Sequence, residues 1–225
     1  MSRAACAGGA AASLLCALIY TGALAHETHE ELPEPTPLLY EPPAPGSYEL
    51  PTIDRVEEHV LLGEAGAAVR LPGLQQGQVA IVSFVYRSCA DAQGCPLALA
   101  VLRRLDRALA REPALAARVR LLTVSFDPER DTPERMSELR RLMQPKSDWQ
   151  FLTAPSKEVI WKVLRDYGQD ALRLATADGK ESPTLRHVLK VFLLDEDRAV
   201  RNVYSAGFLN ERILLNDIQT VRAAR

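Results

Sequence analysis

Two cysteines and a histidine are the residues of this 225-residue sequence best suited to chemistry. Cys89 and Cys95 lie in Tyr86-Arg-Ser-Cys89-Ala-Asp-Ala-Gln-Gly-Cys95-Pro96, with five residues between them. The preceding Val79 to Val85 is a continuous apolar run, the mark of a strand buried on both faces. Pro96 suits the first turn of a helix, where its missing N–H costs nothing. The thiol pair therefore sits between a buried strand and a helix N-terminus. The positive helix end and Arg87 favour thiolate, which is both the nucleophile and the metal-ligating form. Three chemistries stay open to such a pair: metal ligation, thiol–disulfide exchange, or a structural disulfide closing a short loop, with Gly94 relieving strain.

The histidine is His187, in Ser182-Pro-Thr-Leu-Arg-His187-Val188, directly before a second apolar run. A lone histidine is commonly a hydrogen-bonded structural residue. Two soft thiolates with one imidazole suit copper, and zinc by ligand type. His59 reads as a surface residue at a hairpin. His26-Glu27-Thr28-His29-Glu30-Glu31 offers imidazoles and carboxylates to a metal ion, or is the solvated start of a linker.

The elements that must position these groups alternate between strand and helix. Val60–Leu62 and Ala67–Leu71 flank Gly63-Glu-Ala-Gly66 as a small hairpin. After the strand at Val79 comes a helix burying Ala98, Val101, Leu102, Leu105 and Leu109. Val119 to Phe126 reads as a second buried strand, ended by Asp127-Pro128. Asp131-Thr-Pro-Glu134 is a capping-box start for a helix with Met136, Leu139 and Met143 on one face. Trp149 to Leu152 is a short strand. Ser156 caps a further helix that Gly168 ends. Val188 to Leu194 and Ala199 to Ser205 form a hairpin, and Asn210 opens the last helix. A βαβ unit followed by a hairpin and helix predicts an α/β fold with a mixed sheet flanked by helices and an N-terminal β-hairpin, an order that resembles thioredoxin.

Composition sets the compartment. Hydrophobic residues make up 47% and charged residues 25%, a globular balance, and the net charge of -2 gives no footprint for nucleic acid. Ala4 to Ala25 carries no charge and ends in Ala23-Leu24-Ala25, so residues 1–25 read as a signal peptide, or as a membrane anchor if uncleaved. Cleavage removes Cys6 and Cys16 and leaves the pair Cys89 and Cys95. Residues 26–52, dense in proline, read as an extended linker, and 53–225 as the domain. The expected location is extracytoplasmic, the periplasm in a bacterium, and the expected state is a monomer.

From about Leu61 to its C-terminus the sequence resembles the Sco/SenC family of copper chaperones for cytochrome oxidase assembly. The resemblance rests on the hairpin Gly63 to Leu71, the strand leading to Cys89, Cys95-Pro96, and most specifically Val124-Ser-Phe-Asp127-Pro-Glu-Arg-Asp131-Thr-Pro133. His187 stands in the place of the family's copper histidine. The resemblance implies a thioredoxin-like fold and copper held by Cys89, Cys95 and His187. Asp127 and Asp131 then serve turn formation and helix capping. The family usually has three residues between its cysteines where this chain has five, a proline where this chain has Ala90, and an aspartate where it has Arg186. These departures shift weight from copper storage toward thiol exchange.

The resulting expectation is an exported copper-binding assembly factor that delivers copper to an oxidase subunit or another cuproprotein, and is not an enzyme in the strict sense. The alternative is an extracytoplasmic thiol–disulfide oxidoreductase using Cys89 and Cys95 on a thiol partner protein. Behind both stands an interaction domain with a structural Cys89–Cys95 bridge.

Overall fold

Continuous apolar runs place two parallel strands inside the main sheet, with a third at its edge. In the computed structural model, β4 (Val79–Val85) is buried along its whole length. It pairs in parallel with β5 (Val119–Ser125), from Val79 opposite Val119 to Val85 opposite Ser125. β5 pairs in parallel with β6 (Trp149–Leu152). Parallel neighbours need crossovers, here the helices α1 (Cys95–Leu109) and α3 (Pro133–Met143), with the short α2 (Pro113–Ala116) between them. The polar atoms inside this block are satisfied by one another: Ser83 Oγ lies 3.1 Å from Thr123 Oγ1, which also accepts from Trp149 Nε1 at 2.9 Å.

The structure describes residues 32–35, 37–89, 91–175 and 181–224. The leader with Cys6 and Cys16, its cleavage point, His26, His29 and Ala90 lie outside them. The described residues belong to a compact unit beginning at Leu32.

The other half of the sheet is antiparallel. β9 (Val191–Leu194) runs against β4, β10 (Ala199–Tyr204) against β9, and β1 (Asp54–Arg55) against β10. The order is β1-β10-β9-β4-β5-β6, a mixed sheet flanked by helices. α5 (Glu211–Ala223) packs against α1, with Asn210 Oδ1 accepting from Arg212 N at its start. β2 (His59–Leu62) and β3 (Ala68–Leu71) form a hairpin joined to the end of β6 through Leu62 and Thr153. α4 (Lys157–Asp166) is capped by Ser156, whose Oγ accepts from Val159 N at 3.4 Å. Gly168 leaves it at φ +57°, a conformation that favours glycine. Among the described residues no helix is long and apolar enough to cross a membrane.

Two features differ from the sequence reading. The strand expected from Val188 starts at Val191, and the residues before it form an additional hairpin, β7 (Ala171–Ala175) with β8 (Glu181–His187). His187 therefore ends a strand rather than a loop. Pro183 inside β8 breaks the strand signal, because proline cannot donate to a ladder. The Pro-rich stretch over 37–52 has neither helix nor strand, yet it is bonded to α5 and β10. Gly46 N donates to Thr220 Oγ1 at 2.9 Å, Asn216 Nδ2 to the Pro43 carbonyl at 2.9 Å, and Arg201 Nε to the Leu50 carbonyl at 2.8 Å. Tyr48 Oη donates to Asp217, a buried carboxylate that also accepts from Asn202 and Tyr204. Proline density excludes ladders but not side-chain bonds to a neighbouring helix.

Candidate metal centre

β4 ends at Val85 and the chain turns at once: Cys89 N donates to the Tyr86 carbonyl at 3.2 Å. Cys89 is half-buried, while Cys95, the first residue of α1, is 2% exposed. Burial of Cys95 follows from its place in the first turn of a helix whose next residues, Leu97 and Ala98, are core. Tyr86 N donates to Cys95 Sγ at 3.4 Å.

His187 reaches the same place from the separate β7–β8 hairpin, which stands outside the six-stranded sheet. It closes β8, opposite Ala171. Gln169 fixes the exit of that strand, its Nε2 donating to the Val188 carbonyl at 3.0 Å. The His187 ring is walled by Phe126 at 4.9 Å and Tyr86 at 5.6 Å between centroids. His187 Nε2 lies 3.7 Å from Cys95 Sγ. One ligand atom from each of Cys89, Cys95 and His187 lies within 4.8 Å of the others. Both cysteines are free thiols. Two sulfurs and an imidazole so placed are a soft donor set that fits copper chemically.

The thiols polarise each other. The Cys89 thiol is brought well below its ordinary value, chiefly because the Cys95 side chain hydrogen-bonds to its charged form. The same bond, with burial, pushes the Cys95 thiol up. The two shifts run in opposite directions, favouring charge on Cys89 and a proton on Cys95.

Three expectations are corrected by this geometry. Arg87 does not supply the charge near the thiols: its Nη1 donates to Glu138 Oε2 at 2.8 Å and the Arg135 carbonyl at 3.2 Å, both on α3. Asp131 does not cap α3. Thr132 holds the cap position, and the buried Asp131 Oδ2 accepts from Ser125 Oγ at 2.6 Å and Arg87 N at 3.0 Å. His59 is not a free surface residue, since its Nε2 lies 2.8 Å from Asp166 Oδ2 and its side chain is mostly buried. The Arg186 side chain lies outside what is described.

Sequence reasoning missed Tyr86 and Phe126 as the wall behind His187. The signal was present. Two parallel strands in register from Val79 opposite Val119 put residues 86 and 126 side by side at their ends, and the two rings do meet, at 5.1 Å.

Comparison with known proteins bears on the whole domain. The family model described as SCO1/SenC matches residues 52–223. Among solved structures, ScoI of Bradyrhizobium japonicum, with copper bound, is 25% identical, with a TM-score of 0.60 over 73% of this chain and 98% of that one. Apo Sco1 of Thermus thermophilus is 26% identical, with a TM-score of 0.60 over 75% of this chain and 91% of that one. BsSco, described as a member of the Sco family of cytochrome c oxidase assembly proteins with a disulfide switch, is 24% identical, with a TM-score of 0.58 over 79% and 99%. No curated protein matches the chain.

Proposed function

The chain belongs to the SCO1/SenC family, and from that premise we propose that it is an exported copper-binding assembly factor. Cys89, Cys95 and His187 hold copper and pass it to an oxidase subunit or another cuproprotein. The observation that carries this is the convergence of the three side chains, their ligand atoms within 4.8 Å of one another, in a chain similar to a ScoI solved with copper. Copper is cargo here, so no product is made and the protein is not an enzyme in the strict sense. Half-exposed Cys89 is the ligand an incoming protein reaches first, and transfer proceeds by replacing ligands one at a time. Residues 1–25 act as the export signal, or as an anchor if retained, 26–52 lead to the domain at 53–225, and the destination is the periplasm in a bacterium.

The test is an anaerobic Cu(I) competition titration of the reduced chain against a calibrated chelator. One copper per chain, lost in Cys89→Ala and weakened in His187→Ala, is the expected result. Weak binding indifferent to both substitutions contradicts it.

The polarised thiol pair supports a second reading, thiol–disulfide exchange. The Cys89 thiolate attacks a partner disulfide and releases one partner thiolate. Cys95, on losing its proton, attacks the Cys89 sulfur and releases the other. The partner gains two electrons and the Cys89–Cys95 pair becomes the disulfide. A reduction potential in the range of exchange proteins supports this reading, and one as low as that of structural disulfides ends it.

A further inference from the structure

Six backbone steps separate Cys89 from Cys95, enough to span about 20 Å if extended. Their sulfurs nevertheless lie within 4.8 Å. Something must fold the intervening residues back, and the structure shows one residue doing it. The Asp91 carbonyl accepts from Gly94 N at 2.9 Å, closing a turn. The Asp91 side chain accepts from Gln93 N at 3.0 Å through Oδ1. The Cys89 thiol itself faces the Asp91 carbonyl, with Sγ 3.9 Å from the oxygen. Gly94 then holds the cap position before α1, its carbonyl accepting from Ala98 N at 3.2 Å. A methyl group on Gly94 would sit 3.2 Å from the Asp91 carbonyl oxygen, 3.3 Å from Cys89 Sγ and 3.4 Å from Asp91 Oδ2. The absent side chain is the space the first sulfur and the turn occupy.

We propose that Asp91 and Gly94 are positioning residues for the sulfur pair: Asp91 folds the long loop into a turn, and Gly94 leaves room for Cys89 beside the start of α1. This deepens the copper-site reading and rests on it for the copper measurement. The positioning itself concerns only where the two sulfurs stand. Asn at position 91 keeps the oxygen that accepts from Gln93 N. Ala at 91 removes it, and Ala at 94 fills the space.

The test uses the full chain and three variants, Asp91→Ala, Asp91→Asn and Gly94→Ala, with three measurements. Anaerobic Cu(I) competition gives the affinity. Equilibration with a glutathione redox buffer gives the dithiol–disulfide constant: the two thiols yield two electrons and two protons to glutathione disulfide, which becomes two glutathiones. Thermal melting reads the fold. Losing the side-chain hydrogen bond is expected to weaken Cu(I) affinity about tenfold in Asp91→Ala and to move the dithiol–disulfide constant by a similar factor. Gly94→Ala shifts both in the same way. Asp91→Asn stays near the parent, and all three variants melt near the parent temperature.

Asp91→Ala and Gly94→Ala that match the parent in both constants overturn the inference. So does an Asp91→Asn as impaired as Asp91→Ala, because the carboxylate charge rather than the turn then matters. A parent that fails to bind Cu(I) overturns the copper reading instead, and the glutathione constant of Asp91→Ala alone then decides the positioning.

Discussion

A neighbouring thiol, Cys95, lowers the pKa of Cys89 by hydrogen bonding to its charged form, and this gives the residue its own pH dependence. Its lowered pKa means that the folded, reduced chain favours the thiolate. The associated stabilisation is complete above the ordinary thiol value of about 8.5 and is lost as pH falls through the lowered folded value. Iodoacetamide should therefore modify Cys89 first at neutral pH and leave Cys95, whose thiol is pushed up, protonated. Equal rates at the two sulfurs, read by mass spectrometry, contradict the assignment. Asp131 is the second residue with a sharp expectation. Ser125 Oγ and Arg87 N both donate to its Oδ2, so Asn can replace it and Ala cannot. Asp131→Ala should cost about 1–3 kcal/mol in urea unfolding, the penalty for orphaned buried donors. Burial raises the Asp131 carboxyl. Its contribution is thus fullest below the unfolded value of about 3.9 and declines as pH rises through the raised folded value. Relative to the parent, Asp131→Asn should gain stability across that rise. That Cys89, Cys95 and His187 come together was legible from sequence because few other residues can do soft-ligand or thiol chemistry. Arg87 and Asp131 were misread for a common reason. The nearest cation and the nearest capping box are local rules, and each residue had a better partner across the fold.

Among the elements, those legible in advance were those with one unbroken signal: the apolar β4 and β5, the stripe of α1, the Ser156 and Asn210 caps. β7 and β8 were not, because Pro183 interrupts one and the pair stands apart from the main sheet. Asp106 was hidden differently. It lies on the buried face of α1 beside Leu105, 1% exposed, where an apolar stripe leaves no place for a carboxylate. Its partners come from the loop after α3: Lys146 N at 2.9 Å, Ser147 N at 2.8 Å and Ser147 Oγ at 2.6 Å. That carboxylate fastens the α3–β6 connection to α1, and so sets where β6 enters the sheet. Asp106→Ala should destabilise the domain by roughly 3 kcal/mol, a loss of charge-assisted bonds with no water to replace them. An unchanged denaturation midpoint would remove Asp106 from this role.

At the scale of the molecule, the mixed sheet is what lets one site draw on distant sequence. The parallel half delivers Tyr86, Phe126 and the cysteine loop at the ends of β4 and β5. The hairpin that precedes the antiparallel half delivers His187. The family match begins at residue 52, but bonding to the domain begins earlier, with Glu34 on Arg104 of α1 and with Glu41, Pro43, Gly46 and Tyr48 on α5. Burial and the bond to Asp217 push the Tyr48 hydroxyl up to about 12, so it stays a donor at any physiological pH. A chain cut to begin at residue 52 should consequently melt below one beginning at residue 32. In a domain of this size each kcal/mol lost lowers the melting temperature by about 2–4 °C. Equal melting temperatures would show that the strap adds nothing. The same strap decides how the domain bears load. A pull applied from the N-terminal side meets the bonds to Asn216, Asp217 and Thr220 on a thirteen-residue helix before it meets β1, an edge strand of two residues. Tension is taken up along α5, and the strands that hold the thiols and the imidazole together are spared it.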